Sequence, residues 1–320
     1  MPTPIVSVLM SVHNGQDFLR EAIESILNQT YRDFEFIVVD DASTDNSLNI
    51  LKSFSDPRLK ILEVEKNIGL VDALNLALKQ AKGKYVARMD ADDVSYPDRF
   101  AQQVARMVDE PNLVLLGTSY DCIDVSGCIL RNHALKTDND NLQKELIKEG
   151  NQFGHPTVMM RSQTVKSIGG YRKLAGPYSQ DYDLWLRLSE IGKIANLSNS
   201  LLAYRIHDKQ LSVNKLFKQR LAAEIYKVLA TQRRLEGFEK YNTAVFQVKS
   251  KQKIFQHLIA SDYMYWSNLY TLMGNKRDSR FMKLKAIWCD PYRLLVLKVL
   301  RPKIKSVLNH IMFVKKNWFL

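Results

Sequence analysis

VDALNLALKQAKGKYVARMDADD, residues 71–93, packs a helical pattern, a glycine break, an apolar strand and a burst of acid into one run. The apolar positions of 71–81 recur at helical spacing, and Gly83 supplies a left-handed stop signal behind them. Tyr85 to Met89 reads as a buried strand that runs straight into Asp90, Asp92 and Asp93. Three carboxylates in four positions repel one another, so something should sit among them to make the arrangement tolerable.

Working outward, the same alternation repeats. IVSVLMSV (5–12), FEFIVVD (34–40) and LKILEV (59–64) read as three further strands. Between the first two, Phe18, Leu19, Ala22, Ile23, Ile26 and Leu27 mark a helix within 17–29. After the second, Ser43 is a cap candidate for a helix through Leu48, Ile50 and Leu51. A β-α-β-α-β-α-β order implies an α/β fold, a mainly parallel sheet with helices on both faces. A helix is expected over 98–108, after which the order becomes irregular. LVLLGTSYDCID and ILRNHAL should form a hairpin around Val125-Ser126-Gly127. PTVMMR (156–161) and LLAYRIH (201–207) look like strands on either side of a helical stretch near 181–191.

Ligands of open α/β sheets bind at the carboxyl ends of the strands. Those ends carry His13-Asn14, Asp40-Asp41, Asn67 with Gly69, and Asp90 to Asp93. Acids converging on one rim call for a divalent cation, and Mg²⁺ and Mn²⁺ favour carboxylates plus substrate phosphates. A calcium loop is a poor alternative: begun at Asp41 it meets Lys52 where Glu is required, and begun at Asp90 it meets Ser95 and Ala101 where Gly and Glu are required.

Composition is that of an ordinary soluble chain: 320 residues, 46% hydrophobic and 25% charged. The three cysteines, Cys122, Cys128 and Cys289, have no metal-ligand spacing and suit a reducing compartment. No signal peptide is expected at the N-terminus, and no apolar run approaches the roughly 20 residues needed to span a bilayer. The net charge of +12 is lopsided, since residues 211–320 hold 22 Lys and Arg against 6 Asp and Glu. A near-neutral front and a basic rear suggest two tasks, the second toward an anionic partner.

The motifs VSVLMSVHNG (6–15), SILNQTYRDFEFIVVDDASTDNS (25–47), NIGLVDALNLALKQAKGKYVARMDADD (67–93), GHPTVMMR (154–161), SQDYDLWLRL (179–188) and YRIH (204–207) resemble, in order, family 2 glycosyltransferases with the GT-A nucleotide-sugar fold. The likeness covers about 5–210 and stops before the basic region. It implies a GT-A catalytic domain over 1–210 with a helical extension over 211–320. It also implies a metal site of Asp90, Asp92, Asp93 and His207 for Mn²⁺ or Mg²⁺, with Asp92 the foremost ligand. Ser11, His13, Asn14, Asp41, Asn67 and Asn75 correspond to nucleotide-binding positions, with Asp41 accepting from a uracil N–H. His13 stands where the family more often has a stacking aromatic. Asp181 corresponds to the base that deprotonates the acceptor hydroxyl, in a Gln180-Asp181 pair where the family more often has Glu-Asp; Asp183 is the fallback. His155, Gln180 and Arg205 are expected at the acceptor or at a phosphate.

The function implied is inverting transfer of a sugar from a nucleotide diphosphate donor, a UDP-sugar, to a glycan or lipid-linked hydroxyl in cell-surface polysaccharide synthesis. The rivals are a nucleotidyltransferase, for which SVHNGQDF lacks a glycine-rich basic loop, and an inactive membrane-bound interaction module. Residues 291–320 hold seven Lys and Arg, no acid and a Pro302 break among large apolar residues, a pattern that reads as an interfacial membrane segment. Phe246, Phe255, Tyr263, Tyr265 and Trp266 are expected to form the core of the preceding helices. No nucleic-acid motif accompanies the charge. The expected location is the cytoplasmic face of the inner membrane.

Overall fold

A computed structural model describes residues 3–137, 139–207, 215–250 and 252–289. The membrane-segment reading of 291–320 lies outside the described residues, as do the side chains of Phe255 and Cys289.

The strands are β1 (Val6–Val12), β2 (Phe34–Asp40), β3 (Leu59–Glu63), β4 (Tyr85–Arg88), β5 (Val94–Ser95), β6 (Leu113–Ile123), β7 (Ile129–His133), β8 (Met159–Arg161) and β9 (Lys193–Arg205). They form one sheet in the order β3-β2-β1-β4-β8-β6-β9-β5, with β7 paired to β6. The first four are mutually parallel. Beyond β4 the pairing is mixed: β8 is antiparallel to β4 and β6, while β9 is parallel to β6 and antiparallel to β5. This is the α/β arrangement expected from the alternation, with the irregular second half also as read.

The helices are α1 (Leu19–Leu27), α2 (Ser47–Lys52), α3 (Leu70–Gln80), α4 (Arg99–Asp109), α5 (Asn139–Lys148), α6 (Ser162–Ser167), α7 (Gln180–Leu188), α8 (Leu216–Glu236), α9 (Tyr241–Ser250), α10 (Gln252–Leu272) and α11 (Lys276–Cys289). On one sheet face, Val6, Val8, Met10, Phe36, Val38, Tyr85 and Ala87 pack in one core with Leu19, Ile23 and Ile26 of α1 and Phe100 and Met107 of α4. Leu9, Ile37 and Val39, on the alternate face, are also fully buried, and α3 packs against β1 and β2. Burial on both faces explains why these strands read as unbroken apolar runs rather than as alternating ones.

Three local expectations are corrected. Ser43 does not cap α2; its Oγ accepts the Asn14 backbone N–H at 3.1 Å. Gly83 is not a left-handed stop, because α3 already ends at Gln80; a Cβ there would lie 2.6 Å from the Ser7 backbone nitrogen, so glycine is required by close approach to β1. In PTVMMR only Met159–Arg161 is strand, preceded by a 3₁₀ turn at His155–Thr157.

The chain divides into two compact units. The first contains residues up to His207 together with Ala222–Ala244. Within it, Arg172 and Arg233 both pair with Glu239, and Arg233 also pairs with Glu190, fastening the 222–244 helices to α7 and its approach. The second unit contains the described residues of 215–221 and 245–289. There α10 packs on α11, burying Trp266, Leu269, Tyr270, Met282 and Ala286. Phe246 is 73% exposed and contributes nothing to that core, contrary to its expected place. No helix among the described residues is long and apolar enough to cross a membrane.

Candidate functional site

Parallel register sets the strand tips level. Val12 lies opposite Asp40 and Leu9 opposite Arg88, and the Asp41 N–H donates to Val12 O at 2.8 Å. A Cβ on Gly15 would lie 3.7 Å from the Ala91 Cβ, so the loop after β1 meets the acid loop after β4. The tips at 13–15, 40–41 and 90–93 therefore share one edge.

The loops after β1 and β2 are laced together. His13 Nδ1 lies 2.7 Å from Asp41 O, and because a carbonyl only accepts, Nδ1 carries a hydrogen. Asn14, in the left-handed region at φ 56, accepts the Thr44 N–H at 2.8 Å. Asp41 is 2% exposed, and its two oxygens accept the N–H groups of Ile68 and Gly69 at 2.7 and 2.9 Å. It thus moors the start of α3, each oxygen retaining a further lone pair. Ser11 is half-buried near the end of β1, while Asn67 is exposed beside the Asp41 mooring. Asn75 is employed elsewhere: its carboxamide donates to Tyr171 O at 2.9 Å and accepts the Tyr171 N–H at 3.0 Å.

Positive charge does sit among the acids, and the chain supplies it. Arg88, Arg99 and Arg205 are each no more than 1% exposed. Arg88 pairs with Asp90. Arg99 donates to Arg88 O at 2.6 Å, and burial lowers its pKa to about 9 against the upward pull of Asp93. Arg205 donates from its backbone N–H to Asp93 Oδ1 and from Nε to Asp92 O, both at 2.9 Å. Its remaining nitrogens reach Asp124 O, Val125 O and Glu21, and the guanidinium lies 4.7 Å from the Phe18 ring centroid. Expected at a phosphate, Arg205 is instead enclosed as the clasp of the acid loop. Burial raises the proton affinity of Asp90, with Arg88 opposing it, and burial with the charges of Asp92 and Asp90 raises that of Asp93 more strongly. Asp93 Oδ2 is buried without a hydrogen-bond partner among the described residues.

Asp92 takes a different partner. Pairing of Val94 with Ala203 and Ser95 with Leu202 carries the end of β9 to the acid loop. His207 Nε2 then lies 2.9 Å from Asp92 Oδ2. The buried Gln29 seats this segment, reaching Ser95 Oγ at 3.1 Å and Tyr96 O at 2.8 Å. Among the described residues no three His, Cys, Asp or Glu side chains gather as a metal cage. The four expected ligands thus separate: Asp90 to Arg88, Asp93 to Arg205, and only Asp92 with His207. The Asp92 carboxylate suits Mn²⁺ or Mg²⁺ with phosphates and water completing the shell.

Asp181 stands in the first turn of α7, half-buried, and accepts from Asn151 Nδ2 at 3.0 Å. Burial raises its pKa, the hydrogen bonds from the Tyr182 N–H and Asn151 oppose this, and the charge of Asp90 adds to it. The charge of Asp90 is thus felt at Asp181. Gln180 beside it is 5% exposed. His155 Nε2 lies 3.1 Å from the Tyr171 hydroxyl, and burial with nearby Arg88 holds its pKa well down, so the ring is neutral. Asp183 is ruled out as the fallback base: it is 1% exposed and held by Arg172 and Arg187.

The edge thus gathers His13, Asn14, Asp41, Asp90, Asp92, Asp93 and His207, with Asp181 and His155 within electrostatic range of the Asp90–Arg88 pair. Arg88, Arg99, Gln29 and Asn151 were missed in the sequence. A basic residue inside an otherwise apolar strand was the available signal for Arg88; the others carry none.

The profile of Glycosyl transferase family 2 matches residues 7–167. The chain is 38% identical over 221 residues to the O-antigen biosynthesis glycosyltransferase WbnJ of Escherichia coli, covering 66% of this chain and 84% of that protein. Among solved structures, S. aureus TarS 1–349 in complex with UDP-GlcNAc superposes with a TM-score of 0.57 at 16% identity, covering 87% of this chain and 90% of that one. The mannosyltransferase PcManGT of Pyrobaculum calidifontis, in complex with GDP-Man and Mn²⁺, superposes at 0.55 and 16% identity, over 98% and 87%. These neighbours share the GT-A fold. From its matched profile, its relatives and the sheet that carries the strand-end edge, the chain is a glycosyltransferase and belongs to family 2.

Proposed function

We propose that this glycosyltransferase is inverting and divalent-metal-dependent, and moves a sugar from a UDP-sugar to a hydroxyl of a glycan or lipid-linked acceptor in cell-surface polysaccharide synthesis. The observation that carries the reading is Asp181, a half-buried carboxylate with raised proton affinity, set within electrostatic reach of the acid loop. An inverting transfer needs one base at the acceptor hydroxyl, and a raised pKa brings a carboxylate closer to the pH at which it must work. Asp181 takes the proton as the hydroxyl attacks the anomeric carbon from the side opposite the leaving diphosphate. Asp92 and His207 would hold Mn²⁺ or Mg²⁺, which when bound neutralises charge on that diphosphate.

The two solved neighbours carry different nucleotides, so base choice must rest on residues of the nucleotide edge. Asp41, with lone pairs left beyond its two backbone partners, fits a uracil N–H, and His13 flanks it. A basic second unit supports work at an anionic membrane surface on the cytoplasmic side. Along α11, Phe281 and Leu284 are each about half exposed among Lys276, Arg277, Arg280 and Lys283. Such a stripe suits the headgroup region of a bilayer.

The test is transfer by the purified full chain from a panel of nucleotide sugars with Mn²⁺, with product anomers assigned by NMR. Inverted product, lost in Asp181→Asn while UDP-sugar binding remains, is expected. Retained stereochemistry or an active Asp181→Asn would sink the mechanism, and pyrophosphate released from a nucleoside triphosphate would favour a nucleotidyltransferase.

A further inference from the structure

We propose that Arg88 is the standing countercharge of the acid loop, a positioning residue that withholds Asp90 from any divalent ion bound there. The inference rests on the metal-dependent reading above and concerns which acid the ion can reach. Arg88 ends β4 with its guanidinium fully buried. It pairs with Asp90, its Nη1 approaches Leu9 O at 3.4 Å, and its Nε has no partner among the described residues. A guanidinium keeps its proton in proteins, and a buried one is stabilised by a carboxylate held beside it. Asp90 is that carboxylate. Asp92 turns to His207 and the near oxygen of Asp93 to the Arg205 N–H, so neither substitutes for it.

The consequence runs against first intuition. Removing the Arg88 charge should strengthen metal binding, because Asp90 is released into the ligand set. Arg88 in the intact protein keeps bare-metal binding weak, leaving the diphosphate to bring the ion in.

The experiment titrates Mn²⁺ alone onto the full-length protein, reading bound ion by electron paramagnetic resonance and following the melting temperature alongside. Arg88→Gln is expected to bind Mn²⁺ at least about 10-fold more tightly, since a nearby unit charge at protein-surface dielectric is worth that or more. Arg88→Lys keeps the charge beside Asp90 and should stay near the wild-type Mn²⁺ affinity. Should Arg88→Gln fold poorly, Arg88→Gln/Asp90→Asn removes both buried charges and should return to wild-type Mn²⁺ affinity. Unchanged or weaker binding in Arg88→Gln, or loss of binding in the double variant, would overturn the proposal. Absence of Mn²⁺ from every variant, with or without UDP, would overturn the metal reading too, a result distinct from wild-type binding that Arg88 fails to modulate.

Discussion

His207 Nε2 lies 2.9 Å from Asp92 Oδ2 although 115 residues separate them. Antiparallel pairing of the two-residue β5 with the far end of β9 creates that closeness. If the pair receives the ion, Asp92→Ala should abolish Mn²⁺-dependent UDP-sugar binding. His207→Ala should weaken it by about 10-fold or more, the cost typical of disturbing a metal site's supporting groups. Calorimetry with and without Mn²⁺ reads both. A His207→Ala protein with wild-type Mn²⁺ dependence would remove the histidine from the site.

Arg205 carries the neighbouring load. It joins the acid loop, the β6–β7 turn and Glu21 of α1 through one buried guanidinium. Arg205→Met should cost about 1–3 kcal/mol in urea unfolding, because the Asp92, Asp124 and Val125 carbonyls lose their charged donor. The melting loss should appear without any ligand present. A variant of full stability with donor binding alone impaired would return Arg205 to the phosphate.

Gly83 makes a separate packing prediction. Its missing Cβ would fall 2.6 Å from Ser7 N and 2.8 Å from Ser7 Oγ. Gly83→Ala should destabilise by about 1–3 kcal/mol, as overpacking does. Chemical denaturation showing less than a few tenths of that would mean β1 and the α3–β4 connection separate easily.

What the chain disclosed early follows from periodicity and burial. The apolar run 34–40 predicts β2, which spans Phe34–Asp40, because a strand covered on both faces leaves a long apolar run. The acids at the tips were equally plain, since they interrupt such runs. Their partners were not. Arg205 meets Asp93 across 112 residues and Asn151 meets Asp181 across 30, contacts made by strand order rather than by local pattern. Gly83 misled because a glycine after a helix commonly signals a left-handed turn, whereas here the constraint is a neighbouring strand. The divided helix α8, whose residues from Ala222 belong with the first unit, crosses that boundary without any change of composition.

The α11 stripe predicts lipid dependence. The full chain should co-sediment with vesicles containing anionic lipid and much less with neutral ones, and the binding should fall with added salt. Phe281→Asp/Leu284→Asp should reduce it while leaving transfer to a soluble acceptor intact. Equal sedimentation with neutral and anionic vesicles would refute a charge-assisted interface.

Asp181 gives the sharpest pH prediction. Burial raises its folded-state pKa above the ordinary carboxylate value, so folding favours the protonated form. Stability from this group is therefore fully present below the unfolded pKa and is lost as pH rises through the raised one. At neutral pH the ionised acid is a cost of folding, tolerated because the reaction needs a base. Asp181→Asn should lower kcat by about 10²–10⁴-fold. It should also raise the melting temperature at pH 7, with the gain shrinking as the assay is taken below the ordinary carboxylate range. Asn151 opposes the shift through its 3.0 Å hydrogen bond, so Asn151→Leu should move the acid limb of the kcat/KM profile to higher pH. An acid limb that stays in place would mean the group controlling it is not Asp181.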